Sequence, residues 1–345
     1  MVWELHRLNG NLDRYKVEWD SLNSELCDGN PYFSSSFIEP LLKHFGKGDE
    51  RLCLYRSQDN VDAMLIVVPQ GAGKWATFLP AQAQIAPIMT RDAGKLRTLI
   101  PRLSFPSIAL DCLSQDPLIT SLDSGDTRLP VIAKRHALTV SVSLAMTFDQ
   151  YWAHRPKKLR QNIDRRMRRA HDNSSAVRYV KTSEPHQMAA AVKRFGTLES
   201  RGWKGKSGTA VDVNNVQGRF YIDVMTRFAE QSEASVYELY FDDRLVASRL
   251  AIASEHMLVM LKTTYDEGES RLAPGRLLLK LVLEEEFKVR RCRTVEFYTS
   301  ANKDLIEWST HQRWISHYLL LRNFPLRWLY HLVRGRTDTE AISSR

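Results

Sequence analysis

Apolar and polar positions along the chain fall into two recurring patterns. Leu12, Val17, Trp19, Leu22 and Leu26 recur at helical spacing, and a second helical stretch covers 36–45. Runs over 51–56, 61–69 and 74–79 read as strands; an irregular stretch, LPAQAQIAPIMT, follows. A helix is predicted over 92–103 and a short buried strand over 107–110. The second half repeats the order with different residues. Helices are predicted at 185–201 and 217–231, strands at 234–241, 245–253 and 256–264, then the loop DEGESRLAPGR, a helix to Val289 and a strand over 294–298.

Helices, a three-strand meander, a loop, a helix and a final strand thus occur twice. A meander followed by a helical crossover implies a mixed sheet with parallel pairing at the crossover. The expected fold class is α/β, with mixed α+β sheets flanked by helices in two tandem domains over 1–150 and 151–325. A basic tail over 326–345 ends in TDTEAISSR, which reads as disordered.

Composition narrows the class. The 345 residues are 43% hydrophobic and 10% aromatic, enough for an ordinary core. Cys27, Cys53, Cys112 and Cys292 are far apart and form neither a C-x-x-C pair nor a zinc-ligand spacing, so a reducing cytoplasm and no metal are expected. The first residues, MVWELHRLNGNLDRY, do not read as a signal peptide, and no apolar run reaches membrane-spanning length.

The net charge is +9, and it is concentrated. HRPKKLRQNIDRRMRRAH, from His154 to His171, carries eight Lys and Arg residues against one Asp, so most of the excess sits in one segment. Leu159, Ile163, Met167 and Ala170 form a narrow apolar stripe through it, which fits a helix with a solvated basic face. Its possible partners are the phosphates of a nucleotide cofactor, an anionic acceptor, RNA or a membrane. The lack of interleaved aromatics disfavours single-stranded nucleic acid. HYLLLRNFPLRWLYHLVRGR, over 317–336, mixes aromatics with arginines and is a candidate for peripheral contact with an anionic bilayer, although its first part reads as a last strand.

The densest chemistry lies in HMLVMLKTTYDEGESRLAPGRLLLKLVLEEEF. An almost wholly apolar strand, 257–261, runs into a polar turn, and Pro274 and Gly275 open a helix. The leading N–H groups of a helix lack partners and its dipole adds positive potential, which makes such a turn an anion site. Arg271 and Arg276 add full charges; Pro274 suits the first turn, and Gly275 allows a phosphate close to the backbone. An ordinary strand-to-helix connection is the competing reading, since a single Gly is weak evidence. RGWKGKSGTA is Gly-rich, and could close over an acceptor with Trp203 as a wall and Lys204 as an anion contact. GAGKW at 71–75 is no P-loop, because Val68 and Trp75 stand where Gly and Ser or Thr are required.

The second half resembles the GNAT acyltransferase fold, and most of all the GNAT-type proteins encoded with bacterial cellulose biosynthesis. The match rests on LESRGWKGKSGTA (198–210), LKTTYDEGESRLAPGRLLL (261–279) and the 304–308 stretch. WDSLNSEL and NPYFSSSFIEPL extend it over the first half, to about residues 15–320, with the tandem architecture of Fem-type peptidyl transferases.

The resemblance implies that Arg271, Leu272, Ala273, Pro274, Gly275 and Arg276 cradle the pyrophosphate of acetyl-CoA or another acyl-CoA. It implies that the strand ending at Thr264 pairs with the pantetheine arm, that Asn302 belongs to the cofactor site, and that Trp308 lies by the acceptor. Two departures stand out. Pro274 occupies the first Gly position of the usual turn, and Ser309 stands where many such enzymes have the Tyr that protonates the leaving thiolate; Tyr298, Tyr265 or water would have to replace it.

An amine acceptor with pKa near 10.4 costs about 4 kcal/mol to deprotonate at neutral pH without a base. Glu199, beside the W-K-G segment, is the first choice of base, ahead of Asp212, His256 and His311. The expected activity is transfer of an acyl group, acetyl in the first instance, from CoA to an amine or hydroxyl on a small molecule or glycan, in polysaccharide or cell-envelope metabolism. Two alternatives remain: a Fem-like transferase using aminoacyl-tRNA, with RNA bound by the basic helix, and a non-catalytic scaffold of a synthase complex.

Overall fold

Strands and helices follow the hydrophobic periods closely in the computed structural model, which describes residues 2–57, 60–104, 106–120, 122, 130–202, 211–328, 330 and 332. The elements are β1 (Val2–Arg7), α1 (Lys16–Cys27), α2 (Ser35–Phe45), β2 (Arg51–Ser57), β3 (Asn60–Gly71), β4 (Lys74–Thr77), β5 (Ile88–Thr90), α3 (Leu96–Leu99), β6 (Ala109–Gln115) and β7 (Val131–Ser143). There follow α4 (Phe148–Ala153), α5 (Lys157–Asn173), β8 (Val177–Thr182), α6 (Pro185–Ser200), α7 (Val216–Glu230), β9 (Ala234–Phe241) and β10 (Arg244–Ala253). The last are β11 (Met257–Tyr265), α8 (Pro274–Val289), β12 (Thr294–Glu296), α9 (Lys303–Ile306) and β13 (His311–Leu321).

Four strands escape the pattern reading. β1 and β8 are short, with only one residue buried in each, and β7 carries four successive exposed residues, Ala133 to His136. β5 lies inside the stretch read as irregular and pairs with β3. The helix expected over 92–103 is a single α-turn between two 3-10 turns, the second of which contains Pro101.

The chain divides into two compact units that are not contiguous in sequence. The first comprises Met1–Asp28, Phe45–Leu138 and Arg313–Arg345, and the second Gly29–His44 and Thr139–Gln312. In the first, β1 to β4 pair antiparallel in succession, β4 pairs parallel with β6, and β6 pairs antiparallel with β13. Its core gathers Trp3, Leu65, Trp75, Leu96, Leu110 and Tyr318. Arg313 of β13 forms a two-pronged, almost fully buried ion pair with Asp116, at 2.8 and 2.6 Å.

The second unit has the same succession. β8 to β11 are antiparallel, β11 pairs parallel with β12, and β12 pairs antiparallel with β7. The repeat read in the sequence is therefore a repeat of strand pairing. The crossovers differ: the first unit uses the short turns around α3, the second the sixteen-residue helix α8.

Adjacent residues on β9 show how the second unit is layered. The Tyr237 hydroxyl donates to Glu286 of α8, whereas Glu238 accepts two bonds from Arg194 of α6. Alternation along a strand sends these to opposite faces, so α8 and α6 cover the sheet from two sides. On the α8 side, α5 buries Leu159, Ile163 and Ala170 and keeps Lys157, Lys158, Arg165, Arg168 and Arg169 exposed, as its stripe predicts. On the α6 side, α7 packs against the 29–44 segment: Phe37 and Phe220 meet edge to face at 5.7 Å, and Arg227 bridges Asp223 and Glu39.

α6 comes unusually close to the chain at Val211. A side chain on Gly196 would place its Cβ 2.3 Å from the Val211 carbonyl oxygen, a backbone atom that cannot rotate away. Gly196→Ala should therefore lower stability by about 1–3 kcal/mol, the usual cost of overpacking. Chemical denaturation checks this; an unchanged midpoint would mean that the Val211 segment yields freely.

Candidate active site

β11 and β12 are neighbours for only three residues. Met257, Leu258 and Val259 pair with Thr294, Val295 and Glu296. β11 continues to Tyr265, still paired with β10 on its other edge, with Leu261 bulged out of that ladder. β12 stops, and Tyr298 adopts left-handed backbone with φ 50°, which carries the chain away. Among the described residues, no strand pairs with that side of β11 beyond Val259. Residues 260–265 thus offer a line of backbone donors and acceptors for an extended ligand.

At the end of this edge, Asp266 accepts from the Gly268 N–H at 2.9 Å and opens a 3-10 turn. Ala273, left-handed at φ 49°, then turns the chain into α8, and its carbonyl accepts from Arg276 and Leu277. Pro274 is the first residue of the helix, as expected. Gly275 has a role that its sequence context did not show: a Cβ there would stand 3.2 Å from the Tyr265 ring, so the missing side chain makes room for that tyrosine. Thr264 and Leu272 are buried, and Arg271 is exposed.

Positive charge gathers around this helix start. Arg276 pairs with Asp304 at 2.5 Å, which brings α9 alongside, and Asn302 caps α9 by accepting from the Leu305 N–H at 2.8 Å. Arg166 of α5 has a buried Nη1 without a hydrogen-bond partner among the described residues. Burial, and then the neighbouring Arg276, hold its guanidinium below the ordinary value. Phosphate oxygens are the complement of such a cluster.

The α6 side of the same strand carries the other candidates. Glu199 is 3% exposed; it accepts from the Val211 N–H at 2.8 Å and lies 3.4 Å from Lys262 Nζ on β11. Lys262 in turn lies 5.2 Å from the ring centre of Tyr221. Burial first, and the Glu199 charge second, raise the Tyr221 hydroxyl well above its ordinary value. Tyr298 is buried, and its hydroxyl accepts from Asn30 Nδ2 at 3.0 Å. Asn30 also accepts from the Tyr32 N–H, and the Tyr32 ring meets that of Tyr298 at 5.7 Å. Tyr32 is raised by burial and then by Tyr221, so Tyr298, Tyr32, Tyr221, Lys262 and Glu199 form one chain of neighbours.

Glu199 and Tyr298 therefore lie on the α6 side of the sheet, while Tyr265 packs against the start of α8. Trp308 is 1% exposed in the core, where its carbonyl accepts from Tyr151 at 2.6 Å and its ring lies 5.5 Å from Trp152. Trp203 and Lys204 fall outside the described residues. At Gly202, the last described residue before them, a Cβ would stand 2.8 Å from Glu267 of the turn after β11. Of the other candidate bases, Asp212 and His311 are exposed and His256 is half-buried. Sequence reasoning missed Asn30, Tyr32, Tyr221 and Lys262; the first two lie more than 260 positions before Tyr298, and no local spacing points to them. No cluster of metal ligands occurs among the described residues, and no described helix is long and apolar enough to cross a membrane.

Residues 157–307 match the family model described as acetyltransferase (GNAT) domain. No curated protein matches the chain. Among solved structures, FemX aligns with TM-score 0.61 at 9% identity, covering 94% of this chain and 99% of that one. The C-terminal domain of a candidate lysylphosphatidylglycerol synthetase from Agrobacterium fabrum aligns with TM-score 0.55 at 14% identity, covering 92% and 95%. A protein of unknown function from Bacteroides thetaiotaomicron aligns with TM-score 0.51 at 11% identity, covering 90% and 92%. These identities speak for the fold alone. Residues 157–307 thus have the fold of a GNAT acetyltransferase domain, set in an α/β chain of mixed sheets flanked by helices.

Proposed function

We propose that the protein is an acyltransferase that takes its acyl group from an acyl-CoA thioester and passes it to an amine or hydroxyl. The observation that carries this reading is the parting of β11 from β12 beside the start of α8. The edge of residues 260–265, beside which no described strand runs on the β12 side, suits a pantetheine arm, and the turn from Arg271 to Arg276, with Arg166 beside it, suits a diphosphate. Among the described residues the first unit has no crossover helix of this kind, so one donor site, in the second unit, is proposed. The acceptor would come from the α6 side, where Glu199 and Tyr298 lie. A polysaccharide or cell-envelope acceptor remains the expectation from the resemblance.

The chemistry assigns roles. In amide formation the acceptor nitrogen bonds to the thioester carbon, the carbon–sulfur bond breaks, the nitrogen loses a proton and the thiolate gains one. Glu199 is the proposed proton acceptor: it is buried near the strand edge, and Lys262 offsets its charge while it waits. Tyr298 is the proposed proton donor to sulfur. The bond it accepts from Asn30 stabilises the phenolate that this donation leaves. The five exposed cations of α5 favour a second reading, in which the acyl group arrives on an aminoacyl-tRNA.

Calorimetric titration with CoA and acetyl-CoA tests the donor. Micromolar binding is expected; Gly275→Ala should retain it within about threefold, and Gly275→Asp should abolish it by setting a carboxylate at the turn. Absence of binding by the wild-type protein, together with RNA binding that falls steeply with salt, would favour the second reading instead.

Glu199→Gln should lower kcat by about a hundredfold while donor affinity stays unchanged, with the greatest loss at low pH, where the acceptor is most protonated. Wild-type rates across the pH range would remove Glu199 from the mechanism. Tyr298→Phe should lower kcat at least tenfold without raising the donor KM, as steady-state kinetics with acetyl-CoA would show.

A further inference from the structure

Three buried carboxylates of the second unit each have a cationic partner. Glu238 is held by Arg194, Glu286 by Lys181 and the Tyr237 hydroxyl, and Glu199 by Lys262. Arg249, in the middle of β10, is 7% exposed and has no carboxylate partner among the described residues. Its Nη1 donates to Thr263 Oγ1 at 2.9 Å and its Nη2 to the Gly275 carbonyl at 3.1 Å. Its Nε is buried and has no partner among the described residues. Burial alone lowers its pKa, to about 10, so the group stays protonated at neutral pH with no acid to offset the loss of water.

An unpaired guanidinium is expensive to bury. This one also lies under the first turn of α8, where the helix dipole is already positive, so the two fields repel rather than compensate. Such an arrangement is stabilised when an anion arrives. Arg276 is a poor substitute, because Asp304 balances its charge.

We propose that Arg249 is a positioning residue of the donor site: it anchors the first turn of α8 through the Gly275 carbonyl and supplies the uncompensated positive charge that draws the donor's diphosphate to that turn. The proposal rests on reading the site as one for acyl-CoA. It adds that affinity for the diphosphate is set from within the sheet, by a residue on β10 that lies outside the turn itself. Arg249 acts through the turn and its field, so the reacting thioester is not its partner.

The test compares wild type, Arg249→Gln and Arg249→Lys, all as the full chain, for binding of CoA, inorganic pyrophosphate and S-acetyl-pantetheine, which lacks the diphosphate. Arg249→Gln should lose about tenfold in affinity for CoA and pyrophosphate and keep wild-type affinity for S-acetyl-pantetheine. Arg249→Lys, which retains the charge, should stay within about threefold of wild type for all three. Equal loss for all three ligands would assign Arg249 a structural role only, and wild-type pyrophosphate affinity in Arg249→Gln would overturn the proposal. Should Arg249→Gln fail to fold, Arg249→Lys decides: a tenfold or greater loss of pyrophosphate binding with the charge retained overturns the charge role. If the wild-type protein binds neither CoA nor pyrophosphate, the donor site itself is refuted, which is a different failure from an unaffected variant.

Discussion

The second unit turns on how briefly two parallel strands stay together. β11 and β12 share three residue pairs; β11 then runs on beside β10 while the chain after β12 bends off at the left-handed Tyr298. A parallel pair requires a crossover, and here the crossover is α8, whose start follows directly from the end of β11. One topological requirement therefore places a strand edge that no described strand covers, a helix N-terminus and a diverging chain around one spot. A left-handed, non-glycine residue costs roughly 1 kcal/mol or more and persists only where its surroundings hold it. Asn30 and Tyr32 hold the Tyr298 side chain.

Charge then separates the two sides of this sheet. On the α6 side, Glu199 and Lys262 form a compensated buried pair among tyrosines. On the α8 side, Arg166 and Arg249 carry buried nitrogens without a hydrogen-bond partner among the described residues. Buried polar atoms in folded proteins are nearly always bonded, and these two guanidinium groups border one helix start. The proposed division of labour follows: an anionic donor on one side, and proton transfer at the acceptor on the other.

The two units share their succession of pairings but not their crossovers. Four antiparallel strands, a parallel partner and a further antiparallel strand occur in both. A short run of 3-10 and α-turns serves in the first unit, and a long amphipathic helix in the second. Repetition at the level of backbone pairing tolerates complete divergence of side chains, because ladder bonds come from the main chain.

Much of this was legible in the residues themselves. Period-two runs located β2, β3, β9, β10 and β11, helical periods located α1, α2, α5, α6 and α7, and the Pro-Gly pair located the start of α8, because each of these is a local matter of which face is buried. Of the strands outside the pattern, β1 and β8 are largely solvated and β7 is so over 133–136, so burial left little mark on their sequences, while β5 is buried but only three residues long. The candidate site was half legible. The proposed anion turn is contiguous and is read from Arg271, Pro274, Gly275 and Arg276. Asn30 beside Tyr298, Lys262 beside Glu199 and Arg249 beneath Gly275 are neighbours only because distant segments share a core. Spacing along a chain records contacts within one element; contacts between elements, and whether a buried charge finds its counterpart, are decided only when the sheet is assembled.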